Sequence, residues 1–538
     1  MSDDSSTSLD DLNLDDSSES DLDDPNQPVA TEQALPLALR PLPLPLPLQA
    51  ESLEALEARV MQYAIECMTE MAVIEPGLMR VVSARTGVRV LARVACCKRR
   101  QRQSHGRSFV AAEIGQFWSH SWHGSPWNKL FLLLAMQKGL NAILCGTLAG
   151  LVAMALFVAG ILPGVPWPSL LGEDRSVLLS FWSTAAGLLA ALPTLAFSKG
   201  NGSVFLDCIC VDQQGKAKKA ECIMSLGGFL KKSKTLISMW DTTYCQRLWC
   251  LFELAAFLKS HGDSAEALVV RPTVLGACTC ALACGMSATM VITFFIRWND
   301  LVLAALVFMG WGFLGFTAAV AALRHYYESI REMQEQMRNF QIDQAKCWCC
   351  EKGHQGPNGS VLSCDRKILT DCFRLWFGSI EDFEIRVRSS ISGALASQLG
   401  RQAFPYHWLL GCTSPMLWCE MDLFASRYYE DSLRHLPNLF GWWLGGFPLL
   451  VYWVMFLSER CCQPAKSRWL NALQTISIAL LVCPAYLALF AYQLLLSWMW
   501  PGRIPGAVLF AATTFLVAQI LWHPWYFKRL LWTMFQQP

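Results

Sequence analysis

The stretch TLISMWDTTYCQRLWCLFELAAF, Thr235 to Phe257, decides the fold, because two hydrophobic periods follow one another in it. Thr235 to Trp240 is a short, apolar, β-rich run, whereas from Trp249 onward Leu251, Leu254, Ala255 and Leu258 fall at helical spacing. A strand therefore passes into a helix through a turn carrying Asp241, Thr242 and Thr243, with Arg247 just ahead of Trp249. Inside the most hydrophobic part of that helix sits one acid, Glu253. A buried, unpaired carboxylate is costly or takes up a proton, so Glu253 either reaches solvent, meets Arg247 or works in a cleft.

Around this stretch the chain is too apolar for an ordinary soluble protein: 53% of its 538 residues are hydrophobic, 16% are charged, and the mean hydropathy is +0.30. Seven stretches lack Asp, Glu, Lys and Arg for about the 20 residues that a helix needs to cross a bilayer. They are Gly139–Leu162, Ser176–Ser198, Pro272–Ile296, Leu301–Leu323, Leu436–Leu457, Trp469–Gly502 and Ile504–Trp522. A lipid bilayer is thus the first expected partner, and nothing in the charge pattern suggests nucleic acid.

The first 24 residues hold ten acids and no basic residue, which is no signal-peptide pattern, so the N-terminus is expected in the cytosol. Residues 1–50 read as a disordered tail, an acidic Ser-rich block followed by PLPLPLPL at Pro41–Leu48, a stiff spacer. Arg80, Arg85, Arg89, Arg93, Lys98, Arg99, Arg100, Arg102 and Arg107 crowd the region before the first span, as positive-inside bias, attraction to anionic lipid, or both. Cys96 and Cys97 beside them are candidates for S-palmitoylation. The 22 cysteines are spread through spans and cytosolic segments and are expected to be reduced.

The segments divide as a cytosolic helix and basic segment at 51–110, the first part of an α/β domain at 111–138, a transmembrane hairpin at 139–198, the second part of the α/β domain at 199–271, a second hairpin at 272–323, a helical region with a Cys-rich loop at 324–435, and a C-terminal bundle at 436–538. In the α/β parts a strand is expected around Gln116–Ser119, another from Val204 to Val211, a helix over Lys218–Leu230, and a last strand at Ala267–Pro272. Apolar, non-alternating strands between helices argue for a parallel sheet. The expected class is a multi-pass α-helical membrane protein with a cytosolic α/β domain split by a transmembrane hairpin. Strict alternation of the last three spans places Arg460, Lys466, Arg468, Lys528 and Arg529 outside, against the positive-inside rule; either Leu436–Leu457 is re-entrant or Phe404–Cys419 is an extra pass.

With this order in place, Trp249-Cys250-Leu251-Phe252-Glu253-Leu254 resembles the helix start of the Toll/interleukin-1 receptor (TIR) domain family, whose plant-type members carry Trp-Cys-Leu-x-Glu-Leu after a strand. VFLDCICVDQ, Val204–Gln213, is similar to that family's second strand and to a signature of fungal heterokaryon-incompatibility domains; FWSHSW, Phe117–Trp122, stands where the first strand is expected. The likeness covers residues 110–130 and 200–271. It implies a TIR/flavodoxin-like sheet and self-association. From enzymatic members it implies NAD+ cleavage with Glu253 as catalytic residue and a cleft lined by Ser119, Ser121, Asp207, Asp212 and Gln213. One carboxylate suits that chemistry, since loss of nicotinamide leaves an oxocarbenium-like centre.

Cys347, Cys350, His354 and Cys364, with Gly353, Gly356, Pro357 and Gly359 between them, offer thiolate and imidazole donors for a structural zinc ion. Three functions stand open: a membrane-anchored signalling or scaffold protein acting through self-association of the split domain, an NAD+ hydrolase using Glu253, and a transporter or channel, for which the spans carry few of the ionisable residues such pathways need.

Overall fold

A computed structural model describes residues 53–523 apart from 98–104, 168–176, 199, 201, 263–266, 296–300, 356–362, 399–403, 427–431, 464–466 and 501–503. The acidic and Pro/Leu-rich tail, the basic residues 98–102, the turn at 297–300 and the glycines at 356 and 359 lie outside the described residues.

The sheet is built from β1 (Arg80–Ser83), β2 (Phe109–Val110), β3 (Ile114–His120), β6 (Ser203–Phe205), β7 (Ser233–Trp240) and β8 (Leu268–Pro272), in the order β2-β1-β6-β3-β7-β8. The two remaining strands, β4 (Val165–Trp167) and β5 (Val177–Leu179), form a separate antiparallel hairpin. β3 pairs in parallel with β6 and β7, and β7 with β8, while β1 and β2 are antiparallel. Taken in chain order, the four parallel strands stand 2-1-3-4, a doubly wound arrangement whose switch point falls at β3 and β7. β7 is buried from Leu236 to Trp240, as a parallel strand covered on both faces must be.

Three expectations change here. The run Val204–Val211 is a strand only to Phe205; Asp207–Cys210 is a helical turn, with the Asp207 carboxylate accepting from the Cys208 N–H at 2.6 Å. A short, wholly buried apolar run has the same pattern in either conformation. Residues 51–110 are not a separate segment: helix Leu53–Glu70 buries Ala64 and Met68 in the α/β core, and β1 and β2 extend the sheet antiparallel. The helix expected at 218–230 is two, Lys216–Met224 and Leu226–Lys231.

The crossover from β3 to β6 is itself the first hairpin of spans. Helix Pro126–Val158 starts with Ser125 as its N-cap, buries Leu130, Leu132 and Leu133 in the α/β core, and runs on without a break into a stretch with Leu140, Leu144 and Leu148 exposed. Trp182–Phe197 brings the chain back to β6. β8 feeds Val274–Phe295 in the same way, and Gly276 lets the two helices touch, since a Cβ there would run into the Leu132 backbone. Helix Pro126–Val158 thus begins within the α/β core and continues unbroken into its lipid-facing apolar stretch.

Five helices among the described residues are long and apolar enough to cross a membrane: Pro126–Val158, Val274–Ile292, Leu436–Arg460, Arg468–Met499 and Ile504–Trp522. The shorter Trp182–Phe197 is apolar too. Leu301–Arg338 runs antiparallel to Val274–Phe295, with Trp311 bonded to Thr289 and Cys278 to the Ala322 carbonyl, and its last turns reach the α/β domain, where Gln336 donates to the Thr242 carbonyl.

Tyr406–Cys412 and Ser414–Ser426 pack along the helices Pro126–Val158, Trp182–Phe197 and Val274–Phe295. Trp418 fills the space left by Gly146 and Gly187, and Asp422, fully buried, accepts from the Ser180 hydroxyl (2.6 Å) and the Ser183 and Thr184 amides (2.8 and 2.9 Å). A carboxylate from one helix thus caps the N-terminus of another at the far end of the first hairpin. The chain then returns through Ser432–Gly441, a π-turn at Trp442–Gly446 and Phe447–Arg460. Cys461 and Asn471 meet Arg324, whose guanidinium also bonds Thr475 and Gln474, on the α/β side. Arg460 and Arg468 flank the Cys461 and Asn471 carbonyls that Arg324 holds, and His523 stands beside Tyr406; Lys466, Lys528 and Arg529 lie outside the described residues.

Candidate functional site

At the carboxyl ends of β3 and β7 the backbone separates, and side chains from both strands and from helix Leu248–His261 fill the gap. The Ser119 hydroxyl shares a 2.6 Å hydrogen bond with the Tyr244 phenol and also bonds the Glu253 carboxyl. Ser119 and Tyr244 are fully buried and Glu253 is 9% exposed. Burial pushes the Glu253 carboxyl up to about 8; the Ser119 hydroxyl opposes that shift and the Asp207 charge adds to it. Burial likewise holds the Tyr244 phenol well above its ordinary range. Arg247 does not neutralise Glu253. Its guanidinium faces Glu351, and its backbone is bridged to Lys346. With its carboxyl pushed up to about 8, Glu253 favours the protonated form at neutral pH.

Of the residues expected around Glu253, Ser119 touches it and Asp207 lies within electrostatic reach. Asp207 is held by the Trp122 indole N–H at 2.8 Å, and Gln213 donates to its carbonyl at 3.4 Å. Ser121 belongs to a neighbouring cluster: its hydroxyl accepts from Thr243, and its carbonyl accepts from the buried ammonium of Lys129, which also reaches the Gly124 carbonyl at 3.1 Å. Asp212 is turned onto its own loop. Partial burial opposes ionisation there, but the Gln214 and Gly215 amides hold its carboxyl below the ordinary range. Sequence reasoning missed Tyr244 and Lys129. Tyr244 stands in the deciding stretch, and only the β3–β7 register shows that it faces Ser119.

Trp249 is buried, as a residue holding the helix start should be, and its indole N–H donates to Asp365 at 3.2 Å. Asp365 opens helix Asp365–Phe377 beside the cysteine cluster. The donor atoms that converge there are Cys349, Cys350, His354 and Cys364, all within 4.8 Å of one another. Cys347 is not in this set: its sulfur lies 3.2 Å from Cys349 in a second group with Asp365. The sequence spacing could not decide between them, because the helical turn Trp348–Glu351 points Cys347 inward and Cys350 toward His354.

The distances fit one tetrahedral ion. With Zn–S near 2.3 Å and Zn–N near 2.0–2.1 Å, tetrahedral edges come to about 3.8 Å for S···S and about 3.5 Å for S···N. The observed separations are 3.9 Å for Cys349–Cys350, 3.9 Å for Cys350–Cys364 and 3.7 Å for Cys350–His354. His354 reaches this place with φ 59°, after Gly353 at φ 60°, a left-handed conformation unusual for histidine. The described cysteines are free thiols, as expected.

No family model matches the chain, and no match was found among curated proteins or among solved structures. What the site does is therefore argued from its own geometry.

Proposed function

We propose that this is a membrane-anchored signalling or scaffold protein whose TIR-like α/β domain acts by self-association on the cytosolic face. One observation carries the reading: helix Pro126–Val158 is both the β3–β6 crossover and a span, so rearrangement of the bundle is felt directly by the sheet. The basic residues Arg460 and Arg468 on the α/β side favour the cytosol for that side. Edge pairing is confined to one end of the sheet. The β8 edge is capped by Gln398, which accepts from the Val270 N–H at 2.9 Å and donates to the Leu268 carbonyl, whereas β2 leaves Phe109 and Val110 about half exposed. Cross-linking in native membranes should recover oligomers from wild type and monomers from a Phe109→Lys, Val110→Lys double variant; wild type recovered only as monomer counts against the reading.

NAD+ hydrolysis is a second reading, favoured by the gathering of Glu253, Ser119 and Asp207 at the switch point, where ligands bind in doubly wound sheets. A carboxylate is the form that stabilises an oxocarbenium centre, so activity of the purified protein should rise as pH passes about 8 and vanish in Glu253→Gln. Nicotinamide release equal in wild type and variant removes it.

The cysteine cluster holds structural zinc in this reading. Three thiolates and one imidazole complete a closed tetrahedral set, with no position left for substrate. Its place beside Asp365 and Trp249 ties the loop to the helix of Glu253. Elemental analysis of the purified chain should find one zinc per molecule, lost in Cys350→Ser.

A further inference from the structure

Where the first two spans leave the α/β domain, three cations converge. Lys138 is the last charged residue before the apolar stretch of its helix and is 1% exposed. Its ammonium donates to the Ala196 carbonyl at 3.3 Å, near the end of the returning helix. Arg85 and Arg89 stand on the first turns of helix Ala84–Cys97, which packs along the helix of Lys138 with Ala84 against Gly200, just past Ala196, and their charges act on the Lys138 ammonium. The Arg85 Nε is buried without a hydrogen-bond partner, while Arg89 is exposed. No described carboxylate pairs with any of the three.

Three clustered cations, of which Lys138 is buried and Arg85 half-buried, call for a counter-charge. The level of the cluster suggests what supplies it. Gly139 and Leu140 follow Lys138, and Leu140 and Leu144 are exposed as lipid-facing residues are. The cluster thus lies at the edge of the hydrocarbon, in the polar layer about 5–8 Å thick where lipid phosphates sit.

We propose that Arg85 and Arg89, with the enclosed charge of Lys138 behind them, bind the headgroup of an anionic phospholipid in the leaflet facing the α/β domain, one that ends in a phosphomonoester. Arginine presents a planar fork that meets phosphate oxygens in pairs, and lysine adds a point charge. A phosphomonoester, at about −1.5 to −2, balances three cations better than the single charge of a diester. The acyl chains lie along the Leu140 and Leu144 face. One anionic lipid would thereby join the crossover helix to helix Ala84–Cys97, a contact within the α/β domain that depends on the composition of the leaflet.

The test is native mass spectrometry of the full chain, purified in detergent and offered equal amounts of phosphatidate, phosphatidylserine and phosphatidylcholine. Wild type should retain phosphatidate preferentially. An Arg85→Gln, Arg89→Gln double variant should lose about 30-fold in retention, from the usual worth of two basic side chains at a membrane surface. Arg107→Gln, an exposed basic position elsewhere, should change nothing. Lys138→Gln should act like the double variant; the double variant carries the test if the buried substitution fails to fold. Equal retention of all three lipids, unchanged retention in the double variant, or displacement of phosphatidate by millimolar inorganic phosphate would overturn the proposal, the last by indicating a site for soluble phosphate.

Discussion

Replacing Glu253 with Gln tests the description of the site most finely, because it keeps size and hydrogen bonding while removing titration. The folded carboxyl is pushed up to about 8 by burial, from an ordinary value of 4.5. Between those values the folded state holds a proton that the unfolded chain has released. The stabilising contribution is complete below about 4.5 and is lost as pH rises through about 8. The loss runs at about 1.4 kcal/mol per pH unit and totals roughly 5 kcal/mol across the window. The Glu253→Gln variant carries no such penalty. Its advantage over wild type should be under about 1 kcal/mol at pH 5 and about 3 kcal/mol at pH 7, levelling above pH 8. Unfolding of the full chain in detergent, followed by tryptophan fluorescence at pH 5, 6, 7 and 8, measures the difference. A difference that stays flat with pH, or a variant that is less stable than wild type at pH 7.5, would refute the closed, protonated network and return Glu253 to an ionised pair.

Three further outcomes follow from particular contacts. Asp422→Ala leaves the Ser183 and Thr184 amides and the Ser180 hydroxyl without their acceptor, and should cost about 3 kcal/mol or more, read as a lower midpoint of thermal unfolding in detergent. Trp418→Ala opens a cavity between Gly146 and Gly187 and should cost about 3–5 kcal/mol in the same assay, while a swap at exposed Trp469 should cost almost nothing. Stripping metal with a chelator should lower the midpoint in wild type and leave Cys364→Ser, already without zinc, unchanged.

Much of this fold is legible in the sequence where period and composition agree. The strand-to-helix passage at Thr235–Phe257 and the apolar spans are of that kind, since one face of each element has a single place to go. The antiparallel strands β1 and β2 are not. Arg80–Ser83 and Phe109–Val110 are too short to show a period; β1 becomes a strand because β6 offers it an edge, and β2 because β1 does. The segment Tyr406–Ser426, which the sequence offers as one of two alternatives over Phe404–Cys419, is broken at Thr413 and carries Asp422, an acid that is tolerated because it caps another helix. At the site, Glu253 stands out as one acid in an apolar helix, but its partner does not. Arg247 is nearer in sequence, whereas Ser119 is brought in by strand register from far up the chain. The cluster of donors differs from the expected set at one residue, Cys349 standing in the place of Cys347, because a helical turn carries Cys349 and Cys350, and not Cys347, toward His354.

The proposed reading makes sheet and spans one body and Tyr406–Ser426 a pass, with the ends of helices Leu248–His261 and Phe447–Arg460 on the α/β side and the ends of Pro126–Val158, Ser414–Ser426 and Arg468–Met499 on the other. Single N-glycosylation acceptor sites inserted past each of these five helix ends, in otherwise full-length protein expressed in cells with a secretory pathway, test it directly. The reading predicts modification past Val158, Ser426 and Met499 and none past His261 or Arg460. Modification past Arg460, or its absence past Ser426, would contradict the pass at Tyr406–Ser426; modification past His261 would place the α/β domain in the lumen and end the cytosolic reading.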